Sequence, residues 1–404
     1  MNSGNFLNAV NFARRESFSQ SRDGLERRRF YNRAKRGTGH RRRMTQAYFT
    51  KPSVQDVLAD PRWFLEDYHE DIRKLRFIHA GRDELARQAF LSEGLWDYAA
   101  LPKAEFAESA VSGHMPHSGT PPQLNFIWHT AFCCSTLIAR ALDKPGVNLS
   151  LKEPGILLTL AEAKRQNAIG SGKPFSWRLA ETVFRLMDRP FHAGEKVTVK
   201  PPNLANHALR EAIQLTRGKH LFLYSDCRSF LVSVAKKHDY GRTFARELFA
   251  RIVGDGNEQE AWPLTQTFRL TDLRAAAIAW HMQIAEIQRN WSLLAPGRAV
   301  SLDCDAFLSA PEETLAKVDD FLELGLGRAH LAQVMTGPVL SRHSKSAITA
   351  FAVENRRAEH DRIAADIGVD LDQVVAWSYQ LCRSTPRGAP LADPLVTLDK
   401  AYHP

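Results

Sequence analysis

Five short apolar runs separated by stretches of helical spacing constrain this 404-residue chain more than any other feature. They are Leu124–Trp128, Val147–Leu151, Lys196–Val199, His220–Tyr224 and Ala299–Leu302. Each is too short for a stable helix, and most are apolar without alternation, as expected of strands buried on both faces. Between and after them lie the helical segments Ser135–Leu142, Ile156–Gln166, Leu204–Leu215, Ser229–Lys237, Leu270–Leu294 and Pro311–Leu324. Strands alternating with helices predict an α/β fold: a parallel five-stranded sheet with helices on both faces.

Upstream the pattern is different. Residues 52–64 read as a short helix opened by Ser53 and closed before Pro61. Leu75–Ala80 reads as a strand and Asp83–Leu91 as a helix, followed by a Gly/Pro-rich linker over Ser112–Pro122. The expected organisation is therefore a basic disordered tail (1–43), an accessory α/β region with its linker (44–118), the main domain (119–385) and a C-terminal tail (386–404). The net charge of +9 belongs to the tail, which holds twelve Lys/Arg against three acids, leaving the remainder neutral. Such a tail could bind an anionic partner, or precede a true start at Met44. No aromatic-interleaved or helix-turn-helix pattern accompanies it, so nucleic acid is not the expected partner. No apolar run approaches the ~18 residues of a membrane span. The first thirty residues also lack a secretory signal's apolar stretch, so a cytoplasmic protein is expected. Five cysteines, an odd number with no C-x-x-C spacing, predict reduced thiols and no metal site.

The segment Asn125–Arg140 is the most informative. A buried strand runs through small residues directly into a helix, which aims the first helical N–H groups at whatever rests on the loop. Ser135 and Thr136 fall in the first turn, where their hydroxyls could reach a phosphate. The alternative is a strand–turn–helix with an N-cap serine and no ligand.

From about residue 123 to 385 the chain resembles the bacterial branch of the sulfotransferase family, whose phosphate loop (P-loop) is of the type Arg-Ser-Gly-Thr-Thr. Phe132, Cys133, Cys134, Ser135 and Thr136 occupy that loop here, followed by the similar Leu137–Leu142. Lys152-Glu153-Pro154 resembles the acidic motif after the second strand. Lys200–Asn203 resembles the Lys-Thr-Pro type segment after the third. Phe222–Ser233 resembles the segment holding the nucleotide's 3′-phosphate, and Leu302–Pro311 the fifth strand with its acidic turn. The resemblance implies a nucleotide-binding P-loop fold using 3′-phosphoadenosine-5′-phosphosulfate as co-substrate, with no metal and a small-molecule or saccharide acceptor.

It also implies roles. Glu153 would deprotonate the acceptor; otherwise it is a strand-end carboxylate paired with Lys152 or capping a helix. Lys200 would replace the cation missing where Phe132 stands; otherwise it is a solvated lysine before a Pro-Pro turn. Arg228 and Ser233 would hold the 3′-phosphate, Arg228 standing in for the family's Arg at the Ser225 position. Ser344 and Lys345, with Arg342, Arg356 and Arg357 nearby, would fold over the nucleotide. His129 is a possible base or a structural group. Arg140 and Trp280 read as structural, and Cys133 with Cys134 as a redox pair or as small packing residues. The loop's glycine is Cys134, and two family cations are absent. Each lost charge-stabilising donor costs about 3–4 kcal/mol of transition-state stabilisation unless replaced. The rival reading keeps the fold without the chemistry: a non-catalytic nucleotide- or ligand-binding relative. A kinase is disfavoured, since the loop has no Gly-Lys.

Overall fold

The structure, a computed structural model, describes residues 52–397 apart from 93–100, 116–118, 169–174, 254, 256–268, 338–361, 364, 366, 368–370, 384 and 388–389. The chain begins with α1 (Val54–Ala59), where Ser53 and Asp56 form a reciprocal capping box that satisfies two terminal N–H groups. The helix stops before Pro61, as expected, but Trp63 and Phe64 are not its continuation. They open strand β1 (Trp63–His69), which pairs antiparallel with β2 (Lys74–His79). The aromatic residues of β1 bury against the main body, and that packing decides strand over helix. After α2 (Arg82–Arg87), strand β3 (Lys103–Ala107) completes a three-stranded sheet in the order β1-β2-β3.

Helix α3 (Glu108–His114) occupies the start of the expected linker. Its position is fixed by a buried carboxylate: Glu108 accepts from the Tyr68 hydroxyl at 2.9 Å and from Arg73 at 3.2 Å. Val111, fully buried, adds apolar packing. These partners lie 35 and 40 residues away, so no local pattern announced the helix.

The main sheet comprises β4 (Leu124–His129), β5 (Asn148–Lys152), β6 (Lys196–Lys200), β7 (His220–Tyr224) and β8 (Ala299–Asp303), all parallel. Between them run α4 (Ser135–Ala141), α5 (Gly155–Ala168), α6 (Trp177–Met187), a 3₁₀ turn (Asn203–Ala208) continued by α7 (Leu209–Leu215), α8 (Cys227–Ala235), α9 (His238–Ile252) and α10 (Asp272–Trp291). Then α11 (Cys304–Ser309), α12 (Pro311–Leu322), α13 (Arg328–Thr336) and α14 (Leu371–Leu381) follow. Alternate residues of β4 serve opposite faces. Phe126 and Trp128 join one apolar cluster, with Phe184, Phe222 and Trp280, while Ile127 joins the other, with Leu137, Leu223 and Phe307. Both faces are therefore covered, which accounts for the unbroken apolar strands.

The strand order is β5-β6-β4-β7-β8. From central β4 the chain goes out to β5, returns through β6, then crosses to β7 and β8. Where a parallel sheet reverses its winding direction, the loops leaving neighbouring strands part and open a crevice at the carboxyl ends. That point lies at the end of β4. At the opposite, amino-terminal end of β4 the close approach is enforced by Gly218, which leads into β7: a Cβ on it would stand 1.7 Å from the Leu124 carbonyl oxygen. A buried ion network ties α2 to the sheet. Arg82 donates to Glu195 at 2.7 Å, to Asp143 at 3.2 Å and to the Asn148 carbonyl at 2.8 Å.

Candidate functional site

The loop leaving β4 is built on unusual backbone. Ala131, Phe132 and Cys134 have φ of 70°, 53° and 62°, a region that costs an L-residue about 1–2 kcal/mol. Glu153, at the end of β5, shares it with φ 54°. Four of the eight non-glycine residues with positive φ among the described residues thus gather at one edge of the sheet. Such strain persists only where surrounding structure over-determines it, and it concentrates at functional sites. A left-handed residue followed by a right-handed one, as at Cys134 and Ser135, makes a concave run of N–H groups suited to an anion. Cys134 thus adopts the conformation expected of the missing glycine. Ser135 and Thr136 lie in the first turn of α4, both buried.

The Phe132 ring packs against Phe230 of α8 and Phe244 of α9, with centroids 5.7 and 5.0 Å away. Lys237 holds its ammonium 5.7 Å from the centre of the same ring and 5.8 Å from that of Tyr240. The Phe132 position, which carries a cation in the resembled family, thus has a cation beside it from another element. Sequence reasoning missed Lys237. Its only signal was a Lys-Lys pair closing the helix after the 3′-phosphate-like segment.

Lys200 ends β6 between β5 and β4, with its side chain 1% exposed. It is not a solvated lysine. Its ammonium donates to the Glu153 carboxylate, and the Glu153 N–H donates to the Lys200 carbonyl at 2.6 Å. Main chain and side chain therefore bind the same two residues together. Glu153 does not pair with Lys152, whose ammonium is directed at the carbonyls of Leu85, Ala86 and Ser150. Burial depresses the Lys152 pKa to about 8. Lys200 also lies close enough to Cys133 to favour its thiolate, but burial dominates and pushes that thiol up to about 11. Cys133, with Sγ 3.4 Å from the Leu223 carbonyl, is an inert packing group.

His129 is likewise structural. Nδ1 accepts the Ala131 N–H at 3.0 Å, which leaves the proton on Nε2, 3.0 Å from the Pro201 carbonyl. A neutral ring held at both nitrogens fixes the loop's first residues. Trp280 packs in the core and donates from Nε1 to the Ser225 carbonyl at 2.9 Å. The Ser225 hydroxyl is buried without a hydrogen-bond partner among the described residues.

Beyond the loop the picture is more acidic. Arg228 pairs with Asp372 of α14 at 3.1 Å, on a solvent-facing surface. Ser233, buried on α8, lies about one and a half turns further along. Asp226 caps α8 through the Ser229 N–H, and Asp303 caps α11 through the N–H groups of Asp305 and Ala306. Burial, with the charges of Asp305 and Asp226 beside it, pushes Asp303 up to about 7. Ser344, Lys345, Arg342, Arg356 and Arg357 lie outside the described residues, as does the basic tail. The structure thus brings together 132–136, Glu153 and Lys200, adds Lys237, and turns Arg228 toward Asp372. Among the described residues, no group of three or more His, Cys, Asp or Glu side chains could hold a metal ion. No helix among them is long and apolar enough to cross a membrane.

No protein-family profile matches the chain, and no curated protein matches it by sequence. Solved structures similar to it include the sulfotransferase domain from the curacin biosynthetic pathway, 14% identical with a TM-score of 0.38, covering 62% of this chain and 99% of that one. Another is the sulfotransferase domain of the Synechococcus PCC 7002 olefin synthase, 13% identical with a TM-score of 0.37, covering 63% and 98%. A third is the sulfotransferase STF9 from Mycobacterium avium, 9% identical with a TM-score of 0.32, covering 64% and 79%.

Proposed function

We propose that this chain is a cytoplasmic sulfotransferase-like enzyme that moves a sulfuryl group from 3′-phosphoadenosine-5′-phosphosulfate to a hydroxyl or amine of a small-molecule or saccharide acceptor. The observation that carries it is Lys200: an almost fully buried ammonium beside a left-handed, amide-bearing loop, at the reversal point of a parallel sheet. A buried cation there is costly unless it meets a negative charge, and Glu153 is its partner in the structure.

The loop side suits an anion. N–H groups of 132–136 and the hydroxyls of Ser135 and Thr136 would bind the 5′-phosphate. Lys200 and Lys237 would supply the charge that the loop itself lacks at Phe132. Glu153 would accept the acceptor's proton as its oxygen or nitrogen bonds to sulfur. The bond from sulfur to the 5′-phosphate oxygen breaks in the same step, and the displaced nucleotide carries away that electron pair. Lys200, released from Glu153 toward the leaving oxygen, would stabilise the charge developing there. The 3′ side suits an anion less well: Arg228 must leave Asp372 to join Ser233, and Asp226 and Asp303 stand nearby. Ser344 and Lys345 are the remaining proposed contacts. Calorimetric titration with 3′-phosphoadenosine-5′-phosphate at low salt tests the reading. Micromolar binding that is lost in Lys200→Ala is expected, and no binding would remove the assignment.

A second reading, a non-catalytic nucleotide- or ligand-binding relative, is favoured by the Lys200–Glu153 pair itself, in which candidate cation and candidate base neutralise one another. On that reading Phe132→Arg with Ser225→Arg creates nucleotide affinity that the native chain lacks. Equal affinity in both proteins argues against it.

A further inference from the structure

Two thiols that follow the strands flanking β7 meet at the main sheet's carboxyl end. Cys134, the left-handed residue that opens α4, places its Sγ 3.2 Å from Sγ of Cys304, the first residue of α11 after β8. The residues are 170 positions apart, and β7 separates their strands. They differ in access: Cys134 is half-buried, Cys304 fully buried. The vicinal Cys133 instead places its Sγ 3.4 Å from the Leu223 carbonyl.

We infer that Cys134 and Cys304 form a reversible disulfide, a modification site that ties the anion-binding loop to the turn after β8. A disulfide needs its sulfurs at about 2.05 Å, so closure requires an approach of about 1.2 Å. Rotation of the half-buried Cys134 side chain can supply part of that movement. A peroxide is the oxidant. It takes two electrons from the half-buried Cys134 thiol, giving a sulfenic acid and one water. The Cys304 sulfur then attacks the sulfenic sulfur, forming the S–S bond, and the departing hydroxyl leaves with the Cys304 proton as a second water. A dithiol reductant reverses the bond by exchange. Difference in access assigns the order: Cys134 reacts first and Cys304 resolves. The link to anion binding rests on the function proposed above; the bond itself does not.

The test treats the full chain with hydrogen peroxide at a few equivalents, blocks remaining thiols with N-ethylmaleimide, and maps peptides by mass spectrometry without nucleotide present. A peptide cross-linked between Cys134 and Cys304, absent after dithiothreitol, is the expected product. Cys304→Ser should instead carry sulfinic or sulfonic acid at Cys134. A Cys133–Cys134 bond, or over-oxidation of Cys134 in the native chain with no cross-link, overturns the inference. Mapping of the native chain decides the matter even where the variant does not fold. Nucleotide titration of the reduced and oxidised chain forms a separate arm. Absence of binding in both counts against the proposed function and leaves the peptide result standing.

Discussion

Asp303→Asn should stabilise the protein at alkaline pH and do nothing at acid pH. Asp303 is 9% exposed, and its pKa rises from 3.8 to about 7 because burial and two neighbouring carboxylates disfavour the anion. At 1.36 kcal/mol for each tenfold change, the anion is penalised by roughly 4 kcal/mol in the folded state. The sign follows from proton binding. Between pH ~4 and ~7 the folded chain holds a proton that the unfolded chain has lost, so stability falls as pH rises across that window. Below pH ~4 both states are protonated and the penalty vanishes; above pH ~7 it is complete. Asparagine has no charge to bury, and it caps a helix as well as aspartate does, so the bonds from the Asp305 and Ala306 N–H groups survive. The variant should exceed wild type by about 2–4 kcal/mol at pH 8, by less at pH 6, and by nothing at pH 4. Urea melts of both proteins across that range measure it, and taking the difference cancels the titration of every group that does not interact with Asp303. A variant no more stable than wild type at pH 8, or a gain independent of pH, would falsify the claim that the surroundings of Asp303 penalise its anion.

Other outcomes follow from single contacts. Glu153→Gln leaves the Lys200 ammonium buried beside a neutral amide and should cost about 2–3 kcal/mol. Lys200→Met should cost less, since Glu153 reaches water, and the double variant should fall short of the sum by at least 1 kcal/mol in a urea-melt cycle. Additivity within 0.5 kcal/mol would mean that the two do not interact. Arg82→Met strands Glu195 and Asp143 and should cost about 3–5 kcal/mol, read as a lowered thermal midpoint. Gly218→Ala drives a methyl group into the Leu124 carbonyl and should abolish folding, leaving no cooperative melt. If that variant melts like wild type, the close approach of β4 to the turn before β7 is wrong.

Much of the main sheet was readable from one dimension, because strands buried on both faces announce themselves as apolar runs wherever they stand. His220–Tyr224 has the same bounds in sequence and structure, and the ends of β4, β5, β6 and β8 shift by no more than one residue. The strand–loop–helix at 124–141 was equally legible, since a buried strand feeding a short loop of small residues is a local pattern. Strands β1 and β3 and the helix α3 were not, because their placement depends on partners far away, such as Glu108 meeting Tyr68 and Arg73. The candidate site divides along the same line. The types and order of Phe132–Thr136, Glu153 and Lys200 belong to the sequence. Pairing Lys200 with Glu153 rather than leaving it in water required β5 and β6 to lie side by side in register. Lys237 over the Phe132 ring, and Cys304 against Cys134, join residues 105 and 170 positions apart. Local propensity acts over a few residues, whereas contacts at such separations exist only after the chain has closed its loops, so their geometry is set by the packed fold alone.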